Sequence, residues 1–201
     1  MKLFYSPGAC SLSPHIALHE SGLQFQAEKV DLSTKKTESG KDFNTINPKG
    51  YVPALQLEDG SILTEGPAIV QYIADKATQA KLAPANGTVD RYRLQEWLNF
   101  IGTEIHKNFS YLFGQDEAMK TYARTKLAQR FDGLRSAFEK GNPFLMGDQF
   151  TVADGYLFTV LNWGGFVGLD ISKWPYLKDF HARVGVRAKV QEALKAEGLM
   201  K

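Results

Sequence analysis

The sequence has little cysteine and histidine and no long apolar run. One cysteine and four histidines occur among its 201 residues. A single cysteine excludes an intramolecular disulfide framework and a cysteine-rich metal site. No apolar run approaches the roughly 18 residues of a membrane helix, so we expect no membrane partner. Pro7-Gly8 also interrupts any signal-peptide core, which favours a cytoplasmic protein.

The charges nearly cancel. The formal net charge is +2, from 24 basic and 22 acidic residues that alternate along the chain. This balance leaves no electrostatic footprint for nucleic acid. The hydrophobic share of 43%, with 12% aromatic residues, is typical of a globular protein.

The first 80 residues alternate between strand and helix signals. Asp59-Gly60 lies between two apolar runs, which predicts a hairpin. We expect strands at 2–5, 26–30, 54–57 and 61–64, helices at 11–21 and 65–76, and a short polar connection at 41–46. This β-α-β, then β-β-α order predicts a thioredoxin-like N-terminal domain, residues 1–80.

Strand signals fade after a linker at Ala77–Gly87, which is rich in Ala, Lys, Pro, Asn and Gly. Helices are predicted at 88–113, 120–140, 151–162, from 174 onwards and at 187–197. Thr151 and Asp154 form an N-terminal capping pattern, whose expected role is in folding. Residues 88–201 are therefore predicted to form an all-helical domain, and the fold class is α/β plus all-α.

Two proline motifs flank the predicted hairpin. Pro53 stands immediately before a strand, where a tight or cis turn is possible, although an ordinary strand start also fits. Glu65-Gly66-Pro67 stands where a strand leads into a helix, whose first free N–H groups can hold an anion. Together the motifs predict a place for the backbone and carboxylate of a small peptide.

Cys10 follows the first strand at the start of the next helix. The positive end of the helix dipole favours a thiolate there, and the alternative is a small buried hydrophobe. Ser13 occupies the second position of a Cys-x-x-Cys pattern, so intramolecular disulfide exchange is impossible. A mixed disulfide with an external thiol remains open.

A polar stripe is predicted on the helix at 88–113, formed by Asn99, Thr103, His106 and Ser110. It is either the solvated face or part of a site. A neutral imidazole can donate to or accept from a thiol near physiological pH, which favours a site at His106. The opposite, core-facing side holds Leu94, Leu98, Ile101, Ile105, Phe109 and Leu112.

The other histidines have no such setting. His15 and His19 are four residues apart, a metal-binding spacing, but no further ligand accompanies them. We expect surface or packing roles for these two and for His181, and no metal site.

The order of these motifs resembles the glutathione transferases over essentially the full length. A cysteine at position 10, rather than a catalytic tyrosine or serine, is similar to the bacterial beta class. The resemblance implies a cytoplasmic homodimer that conjugates the thiolate of glutathione, its co-substrate, to small hydrophobic electrophiles in detoxification. It implies no other cofactor.

The resemblance also implies the site residues. Cys10 and His106 act on the sulfur, while Tyr5 and Ser11 stand where other classes keep catalytic hydroxyls. Asn99, Thr103 and Glu104 match positions of the glutathione site, some of them across the dimer interface.

Glutathione itself presents a thiol, two carboxylates and an amino group. The resemblance implies that Pro53 is cis and that the main chain of Val52 pairs with the cysteinyl part. Glu65 would meet the γ-glutamyl amino group, the N–H of Gly66 the neighbouring carboxylate, and Lys35 the glycyl carboxylate. Gly66 departs from the family, in which serine is common.

Two other functions remain open at this stage. Cys10-x-x-Ser13 permits glutathione-dependent thiol-disulfide exchange. The other alternative is a non-catalytic carrier of hydrophobic ligands. The second, apolar site is expected among Tyr111, Phe113, Trp163 and Phe166, although each can be ordinary core.

Overall fold

The computed structural model describes residues 1–200 and divides the chain into two compact units. The first comprises Met1–Leu82 with the C-terminal residues from Arg187, and the second comprises Ala83–Val186. The predicted linker at 77–87 contains this division. The C-terminal segment, which we assigned to the helical domain, belongs to the first unit instead, because its helix packs against the first helix of the chain. Residue 201, the end of the predicted second domain, lies outside the described residues.

The first unit is built on a five-stranded sheet of order β3-β2-β1-β4-β5. Strand β1 runs parallel to β2 and antiparallel to β4, and β4 and β5 form the hairpin predicted around Asp59-Gly60. The elements are β1 Lys2–Tyr5, α1 Leu12–Ser21, β2 Gln26–Asp31, β3 Lys36–Thr37, β4 Ala54–Gln56, β5 Ile62–Thr64, α2 Gly66–Lys76 and α9 Ala188–Ala196. The predicted thioredoxin-like arrangement is confirmed. Strand β3 was not predicted, because two residues are too few to give a strand pattern in the sequence.

Helix α1 is enclosed on several sides. It contacts β1, α2 and α9, and eight of its ten residues are buried. A helix that is buried on most of its surface needs small or apolar side chains all round, which its Leu, Ile, Ala and Ser residues supply. Arg187 fixes the start of α9 by donating from Nε and Nη2 to the carboxylate of Glu20, at 2.7 and 2.9 Å. These contacts join the C-terminal end of α1 to the start of α9.

The second unit is helical throughout its regular elements. They are α3 Val89–Phe100, a π-helical turn Ile101–His106, α4 Lys107–Leu112, α5 Glu117–Phe138, α6 Val152–Leu161, α7 Trp163–Phe166 and α8 Pro175–Gly185. The helix predicted at 88–113 is thus present, but its middle is wound as a π turn, with Lys107 N–H bonded to the Gly102 carbonyl. The predicted apolar side of this helix is buried. No helix within residues 1–200 combines the length and apolar character needed to cross a bilayer.

Helix α6 is the centre of the second unit, since all ten of its residues are buried. Its predicted capping box is confirmed. Asp154 Oδ2 accepts from the Thr151 backbone N–H at 2.8 Å and from its hydroxyl at 2.9 Å, while Oδ1 accepts from the Leu145 N–H at 2.8 Å. Burial raises the pKa of Asp154 to about 6, against the opposing effect of these hydrogen bonds.

Candidate active site

The loop between β1 and α1 is fixed by its own hydrogen bonds. The Ser11 side chain is fully buried, and its Oγ accepts from the Ser6 N–H at 3.1 Å and donates to the Ser6 carbonyl at 3.2 Å. Gly8, with φ of 72°, donates its N–H to Glu197 Oε2 at 2.8 Å. The Ser11 hydroxyl, predicted as a catalytic group, is therefore engaged in holding the loop that carries Cys10.

Cys10 lies just before α1 and is half-buried. Its thiol donates to the main-chain carbonyl of Val52, with Sγ 3.3 Å from the oxygen. Burial raises the pKa of Cys10 to about 11, although nearby backbone N–H groups act in the opposite direction. The N–H groups at the helix start favour the thiolate, as expected, but desolvation has the larger effect on the pKa. Cys10 is a protonated thiol, and therefore a hydrogen-bond donor, at neutral pH.

The Val52–Pro53 peptide bond is cis, as the resemblance implies. Val52 is 3% exposed, and Pro53 leads directly into β4. The Val52 carbonyl accepts from Cys10, and the main chain of Val52 is also the expected partner of the cysteinyl part of glutathione. The sulfur of Cys10 and the predicted main-chain anchor are therefore direct neighbours.

Glu65 stands at the start of α2 with an exposed carboxylate. It has φ of 69°, a value that a non-glycine residue seldom adopts. Its Oε1 accepts from Lys49 Nζ at 2.6 Å and from Tyr51 Oη at 2.7 Å. These two donors lower the pKa of Glu65, Lys49 being the larger cause. The carboxylate that we expect to meet an amino group thus already holds an ammonium group from the chain.

Lys35 and Tyr5 complete the first unit's predicted residues. Lys35, with φ of 56°, donates from Nζ to the Gly50 carbonyl at 2.7 Å, so its ammonium is anchored rather than mobile. The Tyr5 ring lies 5.2 Å from the ring of His15. Burial raises the pKa of Tyr5, and Glu197 adds to the effect.

In the second unit, His106 ends the π turn and is half-buried among aromatic rings. Its Nδ1 lies 2.7 Å from Tyr156 Oη, and its ring centroid lies 4.8 Å from that of Trp163. Phe113 contacts the same indole at 6.0 Å and is 52% exposed. Burial, with a smaller effect from Lys107, lowers the pKa of His106 to about 4. The imidazole is therefore neutral at physiological pH.

The rest of the polar stripe is exposed, and its side chains bond to their own helix. Asn99 Nδ2 donates to the Gln95 carbonyl at 2.9 Å and Thr103 Oγ1 to the Asn99 carbonyl at 3.0 Å. Glu104 differs, because its Oε2 accepts from Arg130 Nε at 2.6 Å. His106 is the stripe residue that enters an aromatic cluster; Tyr111 and the 70% exposed Phe166 have no ring contact with it among the described residues.

The remaining histidines have packing or pairing partners. Buried His15 lies 2.9 Å from Glu197 Oε1, and His181 stacks on Phe158 at 4.7 Å. His19 Nδ1 lies 3.3 Å from Glu192. Over residues 1–200, no group of three or more His, Cys, Asp or Glu side chains has the arrangement of a metal site.

Four residues that contact the predicted site residues or histidines were not predicted from the sequence. Lys49 and Tyr51 lie in the Asn47–Tyr51 turn before Val52, and only the folded hairpin brings them to Glu65. Tyr156 and Glu197 come from distant helices. The capping box was a usable signal for the helix of Tyr156, but none indicated its orientation.

Comparison with known proteins identifies the chain. Residues 8–76 match the family model of the glutathione S-transferase N-terminal domain, and residues 73–187 match that of the C-terminal domain. The chain is 46% identical over 201 residues to "Glutathione S-transferase GstA" of Escherichia coli O157:H7, covering 99% of this chain and 100% of that relative. A thioredoxin-like domain joined to a helical domain thus defines an enzyme of the transferase class, and the chain belongs to the glutathione S-transferase family.

Solved structures narrow the family. The bacterial beta class glutathione S-transferase of Sphingomonas chungbukensis is 50% identical, with a TM-score of 0.94 and coverage of 100% of both chains. A sphingomonad glutathione S-transferase complexed with glutathione is 48% identical, with a TM-score of 0.94, and the match covers 99% of this chain and 100% of that one. The resemblance to the bacterial beta class is confirmed.

Proposed function

We propose that this glutathione S-transferase joins the sulfur of glutathione to electrophilic carbon atoms of small hydrophobic substrates. In the reaction the glutathione thiol loses its proton to solvent and its sulfur forms the bond to carbon. A leaving group then departs with the bonding electron pair or, in an unsaturated substrate, the displaced electron pair moves along the substrate and takes up a proton. The observation that carries the proposal is the Glu65 carboxylate at the start of α2, which binds the ammonium group of Lys49. A carboxylate positioned to hold one ammonium group suits the γ-glutamyl amino group of glutathione.

Further groups of the first unit suit the rest of the peptide. Val52 precedes the cis Pro53, the arrangement whose main chain pairs with the cysteinyl part in this family. The Gly66 N–H lies at the start of α2, where a carboxylate is favoured. Lys35 supplies a cation for the glycyl carboxylate. In conjugation the role of the Cys10 thiol is to donate a hydrogen bond to the glutathione sulfur, which a raised pKa favours.

In the second unit we assign His106 to the tuning of the glutathione sulfur. Its neutral imidazole can donate one hydrogen bond to a thiolate without adding a full charge. Trp163 packs against the imidazole, and the exposed ring of Phe113, which contacts Trp163, offers an apolar surface for the electrophile. We assign Asn99, Thr103 and Glu104 to the glutathione site of a homodimer, and place the enzyme in cytoplasmic detoxification.

The test is steady-state conjugation across a panel of electrophiles at constant glutathione, with calorimetric binding of glutathione beside it. We expect turnover on at least some activated aromatic or unsaturated substrates, and a His106→Ala variant that binds glutathione normally but turns over about 10–100-fold more slowly. Binding of glutathione and hydrophobic compounds with no conjugate on any electrophile would instead support the carrier function.

A mixed disulfide between Cys10 and glutathione is a second candidate activity. The Cys10 sulfur lies 3.3 Å from the Val52 carbonyl oxygen, and the cysteinyl part of glutathione is expected at the Val52 main chain. This short distance favours a disulfide between the two sulfurs. The Cys10 thiol would first lose its proton to solvent. Its thiolate would then attack one sulfur of oxidised glutathione, the disulfide bond would break, and one glutathione thiolate would leave. Cys10→Ala should abolish the reducible adduct in intact mass spectra yet retain part of the conjugation, because the two reactions use different sulfurs. An adduct that persists in Cys10→Ala would rule out Cys10 as its site.

A further inference from the structure

His106 has one strong hydrogen-bond partner inside the second unit. Tyr156 lies on buried α6, is 4% exposed, and places its Oη 2.7 Å from His106 Nδ1. The two rings meet edge to face, with centroids 5.9 Å apart and planes at 83°. The contact therefore occupies Nδ1, one of the two ring nitrogens of His106.

The π turn carries His106 at its end. The turn Ile101–His106 inserts an additional residue into the helix, which is a local distortion often found at functional sites. Within it, Gly102 faces the tyrosine hydroxyl, since a Cβ at that position would lie 3.6 Å from Tyr156 Oη, an ordinary contact distance. The turn that carries His106 therefore packs directly against the hydroxyl of Tyr156.

The chemistry of the two groups decides the direction of the hydrogen bond. A phenol, with an ordinary pKa of about 10, is a stronger acid than a neutral imidazole N–H, and an imidazole nitrogen lone pair is a stronger base than a phenol oxygen. The Tyr156 hydroxyl therefore donates and Nδ1 accepts. A neutral imidazole that accepts at Nδ1 carries its single proton on Nε2.

We propose that Tyr156 is a positioning residue for His106: its hydroxyl donates to Nδ1, fixes the ring, and holds the proton on Nε2, so that Nε2–H is the donor offered to the glutathione thiolate. The inference rests on the proposed function, and it adds a residue that chooses which nitrogen of His106 acts. Burial, which keeps His106 neutral, preserves the difference between the two nitrogens, because a protonated ring would donate from both.

The experiment measures the tautomer of His106 directly. Nitrogen-15 NMR of the full-length protein, with the His106 signals assigned by their loss in His106→Ala, distinguishes a protonated from an unprotonated ring nitrogen near pH 7. In the unmodified protein we expect a protonated Nε2 and an unprotonated Nδ1. In Tyr156→Phe we expect a mixture of tautomers, a fall in kcat of about tenfold, and an unchanged calorimetric Kd for glutathione.

Tyr176→Phe is the matched control. Tyr176 Oη donates to the Phe131 carbonyl at the same 2.7 Å, also in the second unit, so its loss removes a comparable hydrogen bond away from His106. This variant should retain both the tautomer and the kcat of the unmodified protein. A proton on Nδ1 in the unmodified protein, or a Tyr156→Phe variant with unchanged tautomer or unchanged kcat, would overturn the inference.

The experiments distinguish failure of the proposed function from failure of the positioning role of Tyr156. The tautomer is read without glutathione, so absence of all conjugation would reject the proposed function while leaving the Tyr156–His106 assignment to the NMR result. If His106→Ala lowers turnover and Tyr156→Phe does not, the function of His106 stands and the positioning role of Tyr156 is rejected.

Discussion

Glu65 and Asp154 each stand at the start of a helix, one in each unit, and their carboxylates have opposite environments. Glu65 at the start of α2 is exposed, makes no capping hydrogen bond, and pairs with Lys49 and Tyr51. Asp154 in the first turn of α6 is fully buried and accepts three hydrogen bonds from Thr151 and Leu145. Exposed partners can be exchanged for a ligand, whereas buried ones cannot. Both carboxylates stand at helix starts, so their exposure and hydrogen-bond partners, rather than their position on a helix, separate a recognition group from a folding group.

The pKa values follow the same division. Hydrogen bonds from Lys49 and Tyr51 lower the pKa of Glu65, so it is a charged acceptor at neutral pH. Burial raises the pKa of Asp154 to about 6 in spite of its hydrogen bonds. One carboxylate therefore keeps a charge that is available for recognition, while the other is held in an environment that opposes its charge.

The largest expected effect is on stability, when each of the two acids is replaced by its amide. Asp154→Asn should lower the free energy of unfolding by about 2–5 kcal/mol, because the amide nitrogen replaces an acceptor oxygen and leaves a buried N–H donor unpaired. Chemical denaturation at pH 7 measures it. Glu65→Gln is the control and should be nearly neutral for stability. Equal losses in the two variants would remove the distinction between the two carboxylates.

Glutathione affinity should respond in the opposite order. Glu65→Gln removes the charge that we assign to the γ-glutamyl amino group, and a charge-assisted hydrogen bond is worth about 1.5–3 kcal/mol. The dissociation constant should therefore rise by about 10–100-fold. Calorimetric titration with glutathione, at a temperature where both variants are folded, provides the measurement. If the affinity falls in Asp154→Asn and stays unchanged in Glu65→Gln, Glu65 is not part of the site.

Much of this division was predictable from the sequence, because its signals are local. The hairpin around Asp59-Gly60, the helix start after Glu65 and the capping box of Thr151 and Asp154 depend on neighbours within a few residues. The confirmed thioredoxin-like order follows from these elements together with the requirement for a right-handed crossover.

The remaining features depend on distant partners or on competing energies. Helical spacing predicts a regular helix through His106, and no signal marks the π turn that changes the helix there. The helix dipole at Cys10 was real as an effect, but burial against the Val52 carbonyl outweighs it. The place of α9 was missed because an amphipathic pattern shows which face is buried and not which element covers it.

A pH series should give the two carboxylates opposite slopes. The folded pKa of Asp154, about 6, lies above its ordinary value of 3.8, so its favourable contribution is present below pH 4 and is lost as the pH rises through 6. The stability difference between the unmodified protein and Asp154→Asn should then be about 1–3 kcal/mol larger at pH 4 than at pH 7.

Glu65 provides the reference for that series. Its pKa is lowered, so its contribution is present above its ordinary pKa and is lost as the pH falls. The difference between the unmodified protein and Glu65→Gln should shrink toward zero on acidification. Denaturation curves at several pH values measure both slopes. Parallel slopes would mean that the environment of Asp154 does not oppose its charge.

The smallest expected effect tests the partners rather than the acids. Lys49→Met removes the exposed ammonium that pairs with Glu65, and exposed ion pairs contribute little because water and salt screen them. We expect no measurable change in the free energy of unfolding. Thr151→Ala removes the alcohol that completes the capping box at Asp154, and loss of such a cap costs about 1 kcal/mol. Both are measured by chemical denaturation in one buffer. A Lys49→Met protein that loses as much stability as Thr151→Ala would mean that the Lys49–Glu65 pair stabilises the fold, and that Glu65 is no more exchangeable in its contacts than Asp154.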